Sequence, residues 1–259
     1  MQDVLTLITD FRAFILIAFR IGGLVLVAPF FNSTTTPDKV KVGLVCALAI
    51  VLLPTVDHST LVIPDNMVGY FAAVVAETAV GAIIGLVAAI IFAGIQLGGY
   101  IAAQQIGLAI ANVYDPTQNA ETSVIDQLFY FFGVIVFVLL KGHYVLLRAL
   151  SSSFNVVPLA AFSPGHAVAS QVGVDAMSDM FISAVKIAAP AVIALMMATM
   201  VMAIIARTVP EMNIFNIGFA VRLGVGLGIL TLAVPALAVV VQQLIDAMSG
   251  RLGSLFVAG

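Results

Sequence analysis

The hydrophobic positions of this chain fall into long blocks separated by short polar breaks, not into the alternation of half-buried strands. Six apolar runs can be read, at roughly 11–31, 42–56, 67–100, 124–140, 180–206 and 217–245. The breaks are distinct in character. Asn32–Lys41 carries Ser-Thr-Thr-Thr-Pro, Pro54–Asn66 holds two prolines and no Lys or Arg, and Arg207–Asn216 is a short connector with Pro210. Asn112–Ser123 reads Asn-Val-Tyr-Asp-Pro-Thr-Gln-Asn-Ala-Glu-Thr-Ser, and residues 141–179 form the longest polar stretch. Apolar runs of this length that meet lipid must be helices, because every backbone polar group there needs an internal partner. The pattern therefore predicts an all-α membrane protein.

The runs fit a bilayer unevenly. A span needs about 17–25 apolar residues, whereas the charge-free windows Val42–Val56 and Gln127–Leu140 hold 15 and 14. The window Thr78–Tyr114 holds 37, which as one helix would be ~55 Å long. A hairpin or broken helix is expected there, with Gly81, Gly85, Gly94, Gly98, Gly99 and Gly107 as places to bend or pack closely. If six spans alternate, Lys39, Lys41 and Arg207 lie on one side and Lys141, Arg148 and Arg251 on the other. That balance assigns no orientation by the positive-inside rule. Either many helices are buried in protein instead of threaded singly through lipid, or the charges are too few to count.

Composition agrees with the pattern. Of 259 residues 62% are hydrophobic and 9% charged, against about 45–50% and about 25% in soluble domains. The formal net charge of −3 gives no basic surface for nucleic acid. Cys46 is the single cysteine, so there is no intrachain disulfide and no cysteine metal site. The first residues lack a basic n-region and a nearby cleavage pattern, so the first run is expected to be retained as structure.

Arg20, Glu77 and Lys186 stand inside apolar runs, where charge is costly and functional roles concentrate. The plainer reading is that Arg20 and Lys186 snorkel or pair with a carboxylate such as Glu77 in an assembly interface. Glu77 has no second acid until Asp115, which argues against a proton relay. Gly81-x-x-x-Gly85, Gly94-x-x-x-Gly98 and Gly224-x-Gly226-x-Gly228 predict close helix–helix approach. Pro190 and Pro235 predict kinks, and Met196, Met197, Met200 and Met202 read as adaptable packing. His58, His143 and His166 lack metal-ligand spacing. Ser151-Ser152-Ser153 lacks a nucleophile-elbow context, and no phosphate loop is present. No catalytic site, cofactor site or metal site is predicted.

Four local patterns, in order across nearly the whole chain, resemble the FliR family of flagellar export proteins and its injectisome relatives. They are Arg20-x-x-Gly23 with Ala28-Pro29-Phe30 and Pro37; Gly98-x-x-Ile101-x-x-Gln104-x-Gly107-Leu108 leading to Asp115-Pro116; Lys141-Gly142-His143 with Ser153-Phe154 and Pro158; and Ala206-Arg207-x-x-Pro210-x-x-Asn213-Ile214-Phe215 with Gly218. The family often has Asn where Lys141 stands and Gln where Glu211 stands.

The resemblance implies a non-enzymatic subunit in the bacterial inner membrane, in the flagellar basal body. It implies a hetero-oligomer with several copies of FliP and FliQ, with FlhB and FlhA nearby and membrane lipid around it. Unfolded flagellar export substrates would pass through the central pore. The implied fold is one of kinked helical hairpins, a FliP-like part at about 1–179 followed by a FliQ-like helix hairpin at about 180–259. The stretch from Gly107 to Ser123 corresponds to the family's pore plug, with Gly107, Ile110, Val113, Tyr114, Asp115 and Pro116 as its residues. Its first half is apolar enough to seal by excluding water, and its second half is turn-rich. Arg20, Glu77, Lys186 and Arg207 are the charged candidates for assembly. The competing readings are the equivalent injectisome subunit, a small-molecule or ion transporter, and an intramembrane enzyme. A transporter would need intramembrane charge pairs or an inverted repeat.

Overall fold

The computed structural model describes residues 2–31, 36–56, 66–107, 124–160, 166–209 and 214–257. These residues form α-helices and one 3₁₀ turn, with no strand among them. The helices are α1 (Gln2–Val27), α2 (Asp38–Leu52), α3 (Met67–Ile106), α4 (Val124–Leu139), α5 (Gly142–Val156), α6 (His166–Thr208) and α7 (Ile214–Val257).

The helix ends follow local chemistry. Pro37 precedes α2, and Asp38 places a negative charge in its first turn, where the helix dipole favours it. The Asn66 side-chain oxygen accepts a hydrogen bond from the Gly69 N–H at 3.1 Å, an N-cap that starts α3. Gly107 stops α3 in a left-handed conformation, φ 90°. Its N–H donates to the Ala103 and Gln104 carbonyls at 3.2 Å, as a C-terminal glycine cap does. Lys141 turns the chain between α4 and α5 at φ 58°, ψ 31°.

Two expectations are corrected. Of the window Thr78–Tyr114, the part as far as Ile106 forms neither a hairpin nor a broken helix, since α3 is one helix of 40 residues, ~60 Å long; residues 108–114 lie outside the described residues. Gly81, Gly85, Gly94 and Gly98 are places of close packing, and the helix contains no proline to break the backbone ladder. Within the supposedly polar stretch 141–179, α5 is a buried amphipathic helix. Leu146, Ala149, Leu150, Ser153 and Phe154 are its buried side chains apart from Gly142, at the i, i+3, i+4, i+7 spacing of one helical face. Pro190 and Pro235 lie inside α6 and α7, each continuous past its proline.

The chain divides into two compact units. The first comprises residues 1–90, 141–176 and 245–259. Its buried side chains include Leu16, Ile17, Ile21 and Leu24 of α1, Ile84 of α3, and Leu146 and Leu150 of α5. Close approach of α1 and α3 depends on glycine. A Cβ on Gly81 would land on the Arg20 carbonyl, one on Gly23 on the Thr78 carbonyl, and one on Gly85 2.9 Å from the Leu24 carbonyl.

The second unit comprises residues 91–140 and 177–244. Its buried side chains include Phe92, Ile95 and Ile106 of α3, Phe137 of α4, Ile187 and Leu195 of α6, and Val241 of α7. Gly94 sits against Met180 and Gly98 against Ile187 of α6, while Gly133 of α4 sits against Ile95. The glycine pairs of α3 thus do what their spacing predicts. Of the triplet in α7 only Gly226 packs; a Cβ on Gly224 or Gly228 would have nothing within 4 Å. The reason is rotation: a residue two positions along a helix faces nearly the opposite side.

Among the described residues three segments are long and apolar enough to cross a membrane: Met67–Ile106, Gly173–Thr208 and Ile217–Leu252. The α4–α5 pair, broken at Leu140–Lys141, is a fourth candidate. The most hydropathic windows of α6 and α7 are only 22% and 28% buried. Met197, Met200, Ile204 and Leu232 are each more than 60% exposed. Such surfaces require lipid or other protein against them. The chain is an all-α membrane protein.

Candidate functional site

Of the four charged candidates, the fold brings Arg20 and Glu77 together. Both are fully buried in the first unit, Arg20 on α1 and Glu77 on α3. The Arg20 Nε–H donates to Glu77 Oε2. The rest of the guanidinium reaches α5 and the corner that follows it. Nη1 donates to Ser153 Oγ at 3.1 Å, and Nη2 to the Val157 carbonyl at 3.1 Å. The guanidinium carbon lies 4.4 Å from the centroid of the Phe154 ring, a cation–π contact.

Glu77 is engaged on both oxygens. Oε1 accepts from the Ala160 backbone N–H at 3.0 Å. Ala160 is itself left-handed, φ 63°, a conformation costing a non-glycine residue about 1–2 kcal/mol. The bond to Glu77 therefore holds a corner that the backbone alone disfavours. Ser153 completes the network by donating to the Leu150 carbonyl at 2.6 Å while it accepts from Arg20. Two opposite charges thus tie α1, α3, α5 and the corner at 157–160 into one junction.

The chemistry of this junction is clamping. Removal of a charge pair from water is costly, and the interior compensates only when the remaining donors and acceptors are also satisfied. Here the flat guanidinium fork supplies donors toward three acceptors, a geometry that lysine cannot reproduce. Among the described residues no group of three His, Cys, Asp or Glu could hold a metal ion.

The other candidates stand apart. Lys186 is exposed on α6, and its ammonium donates to Gln243 Oε1 of α7 at 3.3 Å. It precedes the uncharged stretch 187–206, where a long side chain can run its stem along apolar surface and keep its head polar. Arg207 is exposed in the last turn of α6, where the helix dipole favours a cation. Gly107 is buried at the end of α3. Ile110, Val113, Tyr114, Asp115 and Pro116 lie outside the described residues.

Ser153, Phe154, Val157 and Ala160 are the members of the junction that sequence reasoning did not assign. Arg20 and Ser153-Phe154 stood in two separate motifs, 133 residues apart, with nothing to join them. The available signal was the amphipathic spacing of α5, which places Ser153 on the same buried face as Leu146, Ala149 and Leu150.

Comparison with known proteins is consistent along most of the chain. Residues 11–248 match the model of a family described as bacterial export proteins, family 1. The flagellar biosynthetic protein FliR of Bacillus subtilis (strain 168) is 28% identical over 240 residues, 92% of each chain. That of Pectobacterium carotovorum subsp. carotovorum is 27% identical over 216 residues, covering 83% of this chain and 82% of its own. That of Escherichia coli (strain K12) is 23% identical over 236 residues, covering 91% and 89%.

Proposed function

Since this chain belongs to the family of bacterial export proteins, family 1, we propose that it is a structural, pore-lining subunit of the flagellar protein-export gate. The carrying observation is the match to flagellar biosynthetic FliR proteins over about nine-tenths of the chain. The fold supports the reading in kind. α6 and α7 leave wide apolar surfaces exposed, as a chain built into a larger membrane assembly requires.

In this reading the subunit sits in the inner membrane at the flagellar basal body, against several copies of FliP and FliQ, with FlhB and FlhA adjacent. The portion up to about residue 179 serves as the FliP-like part, and 180–259 as the FliQ-like hairpin. Unfolded flagellar proteins pass through the pore. The segment after Gly107, with Ile110, Val113, Tyr114, Asp115 and Pro116, plugs it between export events. The subunit contributes no chemistry of its own. Its work is to hold a channel in shape, and the Arg20–Glu77 junction fixes three helices for that purpose.

The test is secretion in an in-frame deletion strain, with and without the gene restored. Hook protein and flagellin are measured by immunoblot in cells and in medium. The proposal expects both proteins to be made and retained until the gene returns. Normal secretion and motility, with no second gene copy, overturn it and direct the test to injectisome secretion. For the plug, glycine at Ile110 and Val113 is expected to raise potassium efflux from resting cells; unchanged efflux in an assembled gate counts against the plug.

A further inference from the structure

In the second unit α4 and α7 lie side by side without closing on each other. Gly226 of α7 seats the Ile106 side chain of α3, and this contact fixes how α7 is rotated. The next turns then leave a groove of about 250 Å³ against α4. Its walls are Leu128, Phe129 and Phe132 of α4 and the face of α7 from Leu227 to Leu237. Phe129 and Leu237 are buried, whereas Leu128 and Leu227 are 44% and 47% exposed. The groove thus has a closed floor and an open rim.

The lining decides what kind of occupant fits. Thr231 brings the one hydroxyl to the walls, and it donates to the Gly228 carbonyl at 2.7 Å. Water settles in a cavity where it finds about two to four polar partners, and this groove offers none. The occupant is therefore apolar. Shape narrows the choice further. The α7 wall from Leu227 to Leu237 is ~15 Å long, and one inserted side chain would fill only part of that length. A partner helix, about 10–12 Å across with its side chains, is too thick for so small a volume. A single unbranched hydrocarbon chain is both long and thin enough.

Charge at one end indicates which hydrocarbon. Residues 223–245 of α7 are uncharged, a length that crosses a bilayer core, and Arg222 stands at their border. Arg222 is half-buried, and among the described residues no hydrogen bond or ion pair engages its guanidinium. The groove begins at Leu227, ~7.5 Å further along the axis. A cation at the border of an uncharged span lies at the level of lipid headgroups, and a guanidinium suits a phosphate as a bidentate donor.

We infer that the α4–α7 groove is a binding site for one acyl chain of a membrane phospholipid, whose phosphate Arg222 holds. The lipid fills the space that the two helices leave between them. The inference rests on the membrane assignment and not on the export reading, so each can fail without the other.

The experiment uses the assembled complex in vesicles of phosphatidylethanolamine and phosphatidylglycerol. A trace of the phosphatidylglycerol carries a diazirine in one acyl chain. The complex is extracted in detergent, washed and illuminated, and adducts are mapped by peptide mass spectrometry. The expected result is labelling of α4 at 127–139 and of α7 at 223–245 several-fold above that of α6 at 196–204, which is exposed but ungrooved. Val234→Phe fills the groove, and Leu227→Phe fills it from the rim; each should cut the groove label several-fold. Leu232→Phe, at a position 77% exposed and outside the lining, should leave it unchanged. Arg222→Gln should lower the label roughly tenfold, the worth of a charge-assisted hydrogen bond, and Arg222→Lys should restore most of it. Equal label on α4, α7 and α6 means bulk lipid only and overturns the inference. An unlabelled groove, with a photocrosslinker at Val234 capturing a neighbouring subunit, overturns it in favour of protein. Unchanged label in Leu227→Phe overturns it even if Val234→Phe fails to accumulate, because the rim has room for the larger ring. Unchanged label in Arg222→Gln overturns the phosphate contact.

Discussion

Glu77→Ala should be among the most damaging single substitutions in the first unit. It leaves Arg20 charged and fully buried, with Ser153 Oγ and the Val157 carbonyl as its remaining hydrogen-bond acceptors. Removing one partner of a buried pair costs about 3–5 kcal/mol. The Ala160 N–H also loses its acceptor, which adds roughly 1–3 kcal/mol where water does not replace it. Domains have only about 5–15 kcal/mol of stability in total, so this one change removes a large share. Arg20→Met with Glu77→Leu removes both charges together. It orphans only the Val157 carbonyl and the Ala160 N–H, and should be less damaging than either single change. Exchanging the charges, Arg20→Glu with Glu77→Arg, should not rescue. The partners around Arg20 are oxygens and the one beside Glu77 is an N–H, so the site accepts the charges in one order only. The assay is protease resistance and thermal denaturation of the purified chain in detergent, with cellular abundance by immunoblot. Wild-type stability of Glu77→Ala, or a double variant worse than both singles, would refute the reasoning.

Other positions give sharper local tests. Lys141 is left-handed, so Lys141→Gly should remove a backbone cost of about 1–2 kcal/mol and raise the denaturation midpoint modestly; a lowered midpoint contradicts the backbone argument. Gly22→Ala and Gly23→Ala should act oppositely although the residues are neighbours. Gly22 has open space and should gain about 0.5–1 kcal/mol from helix propensity, whereas a Cβ on Gly23 meets the Thr78 carbonyl; equal thermal shifts would contradict this. His143 has a buried Nδ1 with no hydrogen-bond partner among the described residues, and its ring faces Phe30 and Tyr144. His143→Phe should therefore keep secretion and stability intact, and a loss of secretion would assign the imidazole a role beyond packing.

The class of the protein was legible without coordinates. Long unbroken apolar blocks with so little charge read as helices that meet lipid or other protein, because the other arrangement that satisfies the backbone there, a closed barrel, needs short strands of alternating polarity. Glycine spacing also foretold the tight contacts of α3, since residues four apart on a helix share a face whatever that face meets. The order of four short motifs carried the family. Length rules failed at α3: they predict a break in the window Thr78–Tyr114, and its described part runs unbroken as helix to Ile106. A bilayer limits the part of a helix that lipid surrounds, and says nothing about a helix clasped by its own chain.

What only the tertiary structure decided is which groups meet. Arg20 and Glu77 are 57 residues apart, and Ser153 is 133 from Arg20. Neither composition nor periodicity encodes a pairing at that distance. The sequence could say that a charge in an apolar run needs a partner, yet Glu77 stood equally open to Arg20 and to Lys186. The crossing of α1 on α3 resolved the choice by placing the guanidinium fork against the carboxylate and α5 together. Gly226 makes the same point in a smaller space. Three glycines in α7 look alike along the chain, and only the direction each faces in the folded protein makes one of them the seat for Ile106.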